Sequence, residues 1–341
     1  MKRGVGLGKV KVVVHGLGFI ALNHHLPSLK RMDDVEVSGV VSRNIEHAKK
    51  VARDYGARPY SSLEEAIEKE KPDIVVICTE TFRHKGDALT SIEHGVNIFL
   101  EKPITLRLKD ADDIINTAKK KGVKLMVGHV LRFWPEYVAT KDMVDKGEIG
   151  NPVVARAYRY VSFPPWSFKR WHKDLEKSGG VFVDLSIHDV DFLRWVLGEV
   201  EEVFARGATV YEDTTAPVYM HALLKFKNGA IAYVDGSWLI PPTHPFYTYL
   251  EIAGTRGLLV VDNLTTAGLR VYLKDEVRCW TPVPRDGYYL ELRSFINSVK
   301  KDLEPAITGE EARKSLEVTL AALKSFKENR PVKLPLEEEV I

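Results

Sequence analysis

Val10-Lys11-Val12-Val13-Val14-His15-Gly16-Leu17-Gly18-Phe19-Ile20-Ala21 runs from a β-branched strand through a glycine turn into a helix. The turn has the form G-x-G-x-x-A. Its first glycine permits a tight turn, its second lets backbone approach a pyrophosphate, and the small third residue lets helix pack on strand. The start of the helix at Phe19 and Ile20 presents amide N–H groups and the positive end of its dipole to an anion. The functional reading is dinucleotide binding; the bland one is a tight turn with no ligand.

The residues that follow repeat the alternation. Strands are predicted at Val35 to Val41, Asp73 to Cys78, Val96 to Leu100 and Val123 to Val127. Helices are predicted at Phe19 to Arg31, Ile45 to Tyr55, Ser62 to Glu70, Lys85 to His94 and Lys109 to Lys121. Ser62-Leu63-Glu64-Glu65 is a capping box, and Gly95 and Gly122 stop their helices. This pattern implies a parallel sheet covered on both faces, and a doubly wound Rossmann sheet fits it. That domain is placed at residues 1–127.

The pattern changes after Gly128. A helix from Pro135 to Lys146 precedes longer strand-like runs: Val153 to Val161, Val203 to Tyr211, Val218 to Phe226, Ala230 to Trp238 and Tyr247 to Ala253. Lys227-Asn228-Gly229-Ala230 and Gly254-Thr255-Arg256-Gly257 are hairpin signals. Helices from Tyr288 to Lys301 and from a capping box at Thr308 to Asn329 close the chain. Residues 128–341 therefore read as an α+β domain built on an open, mostly antiparallel sheet, giving an α/β protein of two domains.

Composition narrows the function. The 341 residues carry 49 Lys+Arg and 47 Asp+Glu, a net charge of +2, with no basic tail, which argues against a nucleic-acid partner. The hydrophobic fraction of 45% supports a sizeable core. Two distant cysteines, Cys78 and Cys279, form no disulfide framework or zinc cluster. No apolar run is long enough to span a membrane. Met1 to Ala21 resembles a signal peptide, but Lys9, Lys11 and His15 interrupt its apolar core, so a cytoplasmic protein is expected.

The end of the second strand discriminates between cofactors. An acid there would bond the ribose 2′-hydroxyl; the chain instead has Ser42-Arg43-Asn44. Arg43 suits a 2′-phosphate, with Ser42 as a second donor, so NADP is expected over NAD. Alternatively Arg43 stacks on adenine and both cofactors serve.

Two further clusters carry chemistry. Glu101-Lys102-Pro103 ends the strand at Leu100, on the sheet edge where ligands bind. Gly179-Gly180 opens a predicted helix to Leu197 on which Asp184, His188, Asp191 and Trp195 share one stripe at about 100° per residue. Ionisable groups on a largely apolar helix need a reason. A structural Asp–His pair is one; a metal site is another, but no further ligand cluster supports it.

In combination these residues resemble the Gfo/Idh/MocA family of NAD(P)-dependent oxidoreductases. The matching elements are the glycine turn, Thr79 with His84, Glu101-Lys102-Pro103, and Gly179-Gly180 with Asp184, His188 and Asp191. Arg132-Phe133-Trp134-Pro135 and Gly147-Glu148-Ile149-Gly150 match its interdomain segment. Two departures stand out: Glu80 where the family often has Pro, and two glycines after Ser178 where three are common.

The resemblance implies a catalytic trio of Lys102, Asp184 and His188, and cofactor contacts from Gly16, Gly18, Phe19, Ile20, Ser42, Arg43, Thr79, His84, Glu101 and Lys102. It implies a homodimer or homotetramer; with no further ligand cluster in the sequence, no metal is expected. Lys102 supplies a cation or donor to a developing alkoxide. An imidazole titrates near neutrality, which makes His188 the expected base. Asp184 orients His188 or holds a substrate hydroxyl, and Glu101 fixes Lys102 or the ribose. The expected substrate is a secondary hydroxyl of a sugar, inositol or related polyol, or the matching ketone. The alternatives are a nicotinamide-dependent glycosidase and a non-catalytic regulator.

Other residues keep two readings each. His129 and Arg132 reach the nicotinamide or substrate, or else hold the domain interface. Trp166 and Trp171 form an aromatic substrate wall, or else a packed loop. His24 and His25, on the first helix, are expected at a surface or interface.

Overall fold

The computed structural model describes residues 8–165, 167–281 and 285–341. Strand β1 (Val10–His15) lies inside a parallel sheet with β2 (Val35–Val41), β3 (Arg58–Tyr60), β4 (Ile74–Ile77), β5 (Asn97–Glu101) and β6 (Leu125–Gly128). The strand order is β3-β2-β1-β4-β5-β6. Val12, Val13 and Val14 are completely buried, as helices on both faces require. The helices begin where their caps are. The Asn44 carboxamide accepts the amides of Glu46 and His47, and Ser62 Oγ accepts that of Glu65.

β3 is the strand no β-branched run announces. It is a three-residue edge strand containing Pro59, which an edge tolerates because one side of its backbone needs no partner.

The second sheet has nine strands: β7 (Pro152–Tyr160), β8 (Val200–Ala208), β9 (Tyr219–Phe226), β10 (Ile231–Ser237), β11 (Tyr247–Gly254), β12 (Gly257–Asp262), β13 (Leu269–Leu273), β14 (Val277–Trp280) and β15 (Val332–Lys333). Their order is β14-β13-β12-β11-β7-β10-β9-β8-β15; the β7–β10 pair is parallel and the remaining pairs antiparallel. One face is apolar and buried, including Ala155, Ala157, Ala222, Leu224, Val234 and Ile252. The helix Ile187–Leu197 packs on it at β7 and β10. The other face carries a band of aromatic side chains, with Tyr158 stacked on Tyr249 at 5.3 Å between ring centroids.

The division into units differs from the expected boundary at 127/128. One compact unit comprises Met1–His129 with Asp286–Arg313, the other Val130–Arg285 with Lys314–Ile341. The late helix Gly287–Lys301 belongs to the Rossmann unit because its apolar stripe packs there, with Phe295 against Phe99. Arg293 and Lys300 on the same helix bind Asp34. Among the described residues no helix is long and apolar enough to cross a membrane.

Candidate active site

The glycine turn is built by steric exclusion. Gly16 has φ +89°, and a Cβ there would lie 2.6 Å from the Cys78 carbonyl carbon. No side chain fits between β1 and β4 at that point. Its N–H donates to Val41 O at 3.1 Å, tying the turn to β2. Gly18 is open: a Cβ there would meet nothing within 4 Å. The helix starts at Phe19, whose ring is 44% exposed, and Ala21 is fully buried against the sheet. The first-turn amides have no carbonyl one turn earlier to accept them, so an anion can. The open approach at Gly18, the turn that Gly16 alone permits and these amides fit a dinucleotide pyrophosphate.

The predicted helix Phe19 to Arg31 is helical to Lys30 but widens into a π turn over Ala21–His25. Pro27 explains this: it has no N–H for the carbonyl one turn back, and the ladder reorganises around it. The π turn ends on His25, which is fully buried rather than at the surface. His24 is half-buried and stacks on Tyr288 with centroids 4.1 Å apart.

After β2, Ser42 Oγ accepts the Asn44 amide at 3.3 Å, which leaves its O–H to donate outward. The Arg43 guanidinium, more than half exposed, pairs with the Glu80 carboxylate. Glu80 lies in the loop after β4, on the other side of β1.

Thr79 and His84 have internal partners. Thr79 Oγ1 donates to Asp87 Oδ2 at 2.7 Å, and Asp87 also faces His15 at 3.3 Å. Burial opposes charge on Asp87, but the His15 and Thr79 contacts hold its carboxyl below the ordinary value. His84 is buried between two carbonyls, Pro103 O at 2.9 Å from Nδ1 and Thr79 O at 3.1 Å from Nε2. Burial pushes its imidazole down. The neutral ring has one N–H and can donate to one of these carbonyls, between the loops that follow β4 and β5.

β5 delivers Glu101 and Lys102. Glu101 is 6% exposed; its Oε1 lies 2.6 Å from His25 Nε2, and its Oε2 accepts the Lys102 amide at 3.1 Å. Burial pushes this carboxyl up, but the His25 bond and the Lys102 charge leave it below the ordinary value. Glu101 therefore fixes the backbone from which the half-buried Lys102 side chain departs. Glu291, from the helix Gly287–Lys301, is fully buried beside this pair, and burial pushes its carboxyl well up. His25, Glu101 and Glu291 bring ligand atoms within 4.8 Å of one another, a spacing that could hold a metal ion. The short His25–Glu101 bond uses one atom of each residue, while both Glu291 carboxyl oxygens and His25 Nδ1 are buried without a hydrogen-bond partner among the described residues. Charge spacing along the sequence does not reveal it, because its members come from three distant segments.

In the second unit the predicted helix from Gly180 to Leu197 is two helices, Gly180–Asp184 and Ile187–Leu197. At the break Ser186 N–H donates to Val181 O at 3.1 Å, one residue further back than an α-helix allows. Ser186 sits against Gly236 of β10, where a Cβ would lie 2.1 Å from Ser186 Oγ. Gly179 and Gly180 both have positive φ, and Cβ atoms there would meet Val183 and Pro217. The pair starts the helix where no side chain fits.

The break separates the members of the predicted stripe. Asp184 and His188 are half-buried, whereas Asp191 is completely buried. Asp191 takes a bidentate pair from Arg132, both contacts at 2.8 Å, and the Ser315 hydroxyl at 2.9 Å. The Arg132 side chain is only 7% exposed and also lies over the Trp195 ring. Arg132 and Asp191 thus form an ion pair in the interior of the second unit, as Arg159 and Asp189 do.

Asp184 has a neighbour that sequence spacing does not indicate. His172 Nε2 lies 3.8 Å from Asp184 Oδ2, its Nδ1 faces Ser167 Oγ at 2.7 Å, and its ring stacks on Trp171 at 3.8 Å. Trp171 is half-buried in this layer. Trp166 lies outside the described residues. His129 is buried at the end of the first unit's continuous stretch. Lys102 belongs to the first unit, Asp184 and His188 to the second.

Comparison with known proteins agrees with the geometry. The model of an oxidoreductase family with an NAD-binding Rossmann fold matches residues 10–129, and the model of the GFO/IDH/MocA C-terminal domain matches residues 137–260. The chain is 32% identical to the myo-inositol 2-dehydrogenase of Thermotoga maritima, over 97% of this chain and 100% of that protein. It is 30% identical to the scyllo-inositol 2-dehydrogenase (NAD(+)) of Bacillus subtilis, over 96% of each. Among solved structures, the WlbA dehydrogenase of Bordetella pertussis, in complex with NADH and UDP-GlcNAcA, superimposes with a TM-score of 0.85 at 26% identity, covering 96% of this chain and all of that one.

Proposed function

Because the chain belongs to the Gfo/Idh/MocA family of oxidoreductases, we propose that it oxidises a secondary hydroxyl of an inositol or related polyol, or reduces the matching ketone. It is an NAD(P)-dependent dehydrogenase acting on CH–OH groups. The observation that carries the reading is the Glu101–Lys102 arrangement at the end of β5: a carboxylate anchored by His25 holds the backbone of a lysine at the binding edge of the sheet.

The residues divide the work by chemical type. The nicotinamide, when bound, accepts the hydride from the carbinol carbon. An alcohol is a very weak acid, so loss of its proton needs both a base and a cation. His188, as neutral imidazole, takes the hydroxyl proton, and Lys102 stabilises the developing alkoxide. Asp184 accepts a hydrogen bond from a neighbouring substrate hydroxyl or from His172. Gly16, Gly18, Phe19 and Ile20 hold the pyrophosphate through backbone. Arg43 and Ser42 supply donors to a 2′-phosphate, so NADP is preferred over NAD. Thr79 and His84 act at one remove, by shaping the loops on which the dinucleotide lies.

The protein works in the cytoplasm as a homodimer or homotetramer. The partly exposed sheet face supports self-association: Leu223 and Ile231 there are 51% and 49% exposed. A panel of inositols, sugars and sugar acids, incubated with each cofactor and followed by nicotinamide absorbance, tests the substrate class. Turnover confined to non-carbohydrate alcohols overturns it.

A further inference from the structure

We propose that Glu80 sets the cofactor preference of this enzyme by competing with the cofactor for Arg43. The inference rests on the reading that Arg43 faces the 2′ position of the adenosine ribose.

Strand order places the argument. β2 and β4 flank β1, so the loops after β2 and β4 stand on either side of the glycine turn. Arg43 comes from the first loop and Glu80 from the second, and the two join in an ion pair. The Glu80 side chain is 15% exposed and that of Arg43 56%. The guanidinium is thus accessible to a ligand, while its partner is largely enclosed by protein. An exposed ion pair contributes little to stability, so its consequence is felt in what else the arginine can bind.

NADP and NAD differ at one place, a 2′-phosphate against a 2′-hydroxyl. The phosphate must take the guanidinium from Glu80, or share it, and in either case meets a carboxylate of its own sign. The hydroxyl carries no charge and does not have to draw Arg43 away from Glu80. Glu80 therefore weighs on the 2′-phosphate alone, through its hold on Arg43, and narrows the gap between the two cofactors. Glu80 acts through Arg43 and is a positioning residue.

The test is the ratio of dissociation constants for NADPH and NADH, read from cofactor fluorescence with the full chain. Glu80→Gln keeps the size and a hydrogen-bond acceptor but removes the charge. It is expected to tighten NADPH about tenfold, or 1.4 kcal/mol, and to change NADH much less. The shift should shrink as salt screens the exposed pair. Arg43→Ala alone reports on the underlying reading: if it leaves NADPH binding unchanged, Arg43 does not face the 2′ position. If Arg43→Ala weakens NADPH but Glu80→Gln leaves the ratio unchanged or moves it toward NADH, the role of Glu80 is overturned and the reading of Arg43 stands. In the double variant the Glu80→Gln shift should vanish; its persistence would show that Glu80 does not act through Arg43. An unchanged melting temperature for each variant confirms that the ratio reports binding and not folding.

Discussion

Glu101 Oε1 sits 2.6 Å from His25 Nε2 inside the Rossmann unit, and the Glu291 carboxyl is buried beside them. Two carboxyls in one dry site cannot both carry charge cheaply, so Glu101 keeps the charge and Glu291 the proton. A folded-state value raised above the unfolded one stabilises fully below the unfolded value of 4.5 and progressively less as pH rises. Glu291→Gln mimics the neutral acid at every pH. Its melting temperature should match the native protein near pH 4 and exceed it by a margin that grows toward pH 8. Parallel curves would mean that Glu291 is ionised in the fold.

Lys102→Ala should separate binding from chemistry. Glu101 Oε2 accepts the Lys102 backbone amide, a bond the substitution keeps, so the loop survives it. Cofactor affinity should hold within a few fold, while turnover falls by roughly 10²–10⁴. Near-normal kcat would remove Lys102 from the mechanism.

The Asp34 carboxylate joins the early chain to the late helix. Hydrogen bonds from Lys300 and Arg293 hold its carboxyl at about 2, below the usual 3.8. A depressed value stabilises above the unfolded value, and that stabilisation is lost as pH falls through about 2. Asp34→Asn should lower the melting temperature at pH 7 by of order 1–2 °C, since the site is partly exposed. The deficit should disappear at pH 2. A constant deficit at both pH values would show that shape, not charge, is responsible.

Asp191→Ala leaves the buried Arg132 guanidinium without its carboxylate. The expected cost is about 3–5 kcal/mol, measured by urea unfolding. If stability is kept while KM rises, Arg132 is a substrate residue after all.

The Rossmann sheet is legible because its signals are local: β-branched runs, helix caps and a glycine turn at fixed spacing. β3 escapes because a short edge strand with Pro59 needs no β-branched pattern, and β14 because all its residues are exposed and no face is apolar. At the helix break Ser186 packs into the space left by Gly236, a residue remote in sequence on β10. Asp191 falls on the same predicted stripe as Asp184 and His188, yet its partners Arg132 and Ser315 are remote in sequence. His25 reads as a surface histidine until Pro27 and the π turn it induces are taken together. Chemistry carried by tight turns is visible in one dimension; partnerships across the fold are not.

The return of Asp286–Arg313 to the first unit has a consequence for biosynthesis. A ribosome that has released the six-stranded sheet has still to make Phe295, Glu291 and Arg293. Until they emerge, Phe99 and His25 lack their cover, and the nascent dinucleotide module carries an apolar wound that chaperones can recognise. A gene fragment cut after His129 would inherit that defect permanently, whereas a circular permutant that fuses the late helix to the early sheet would heal it.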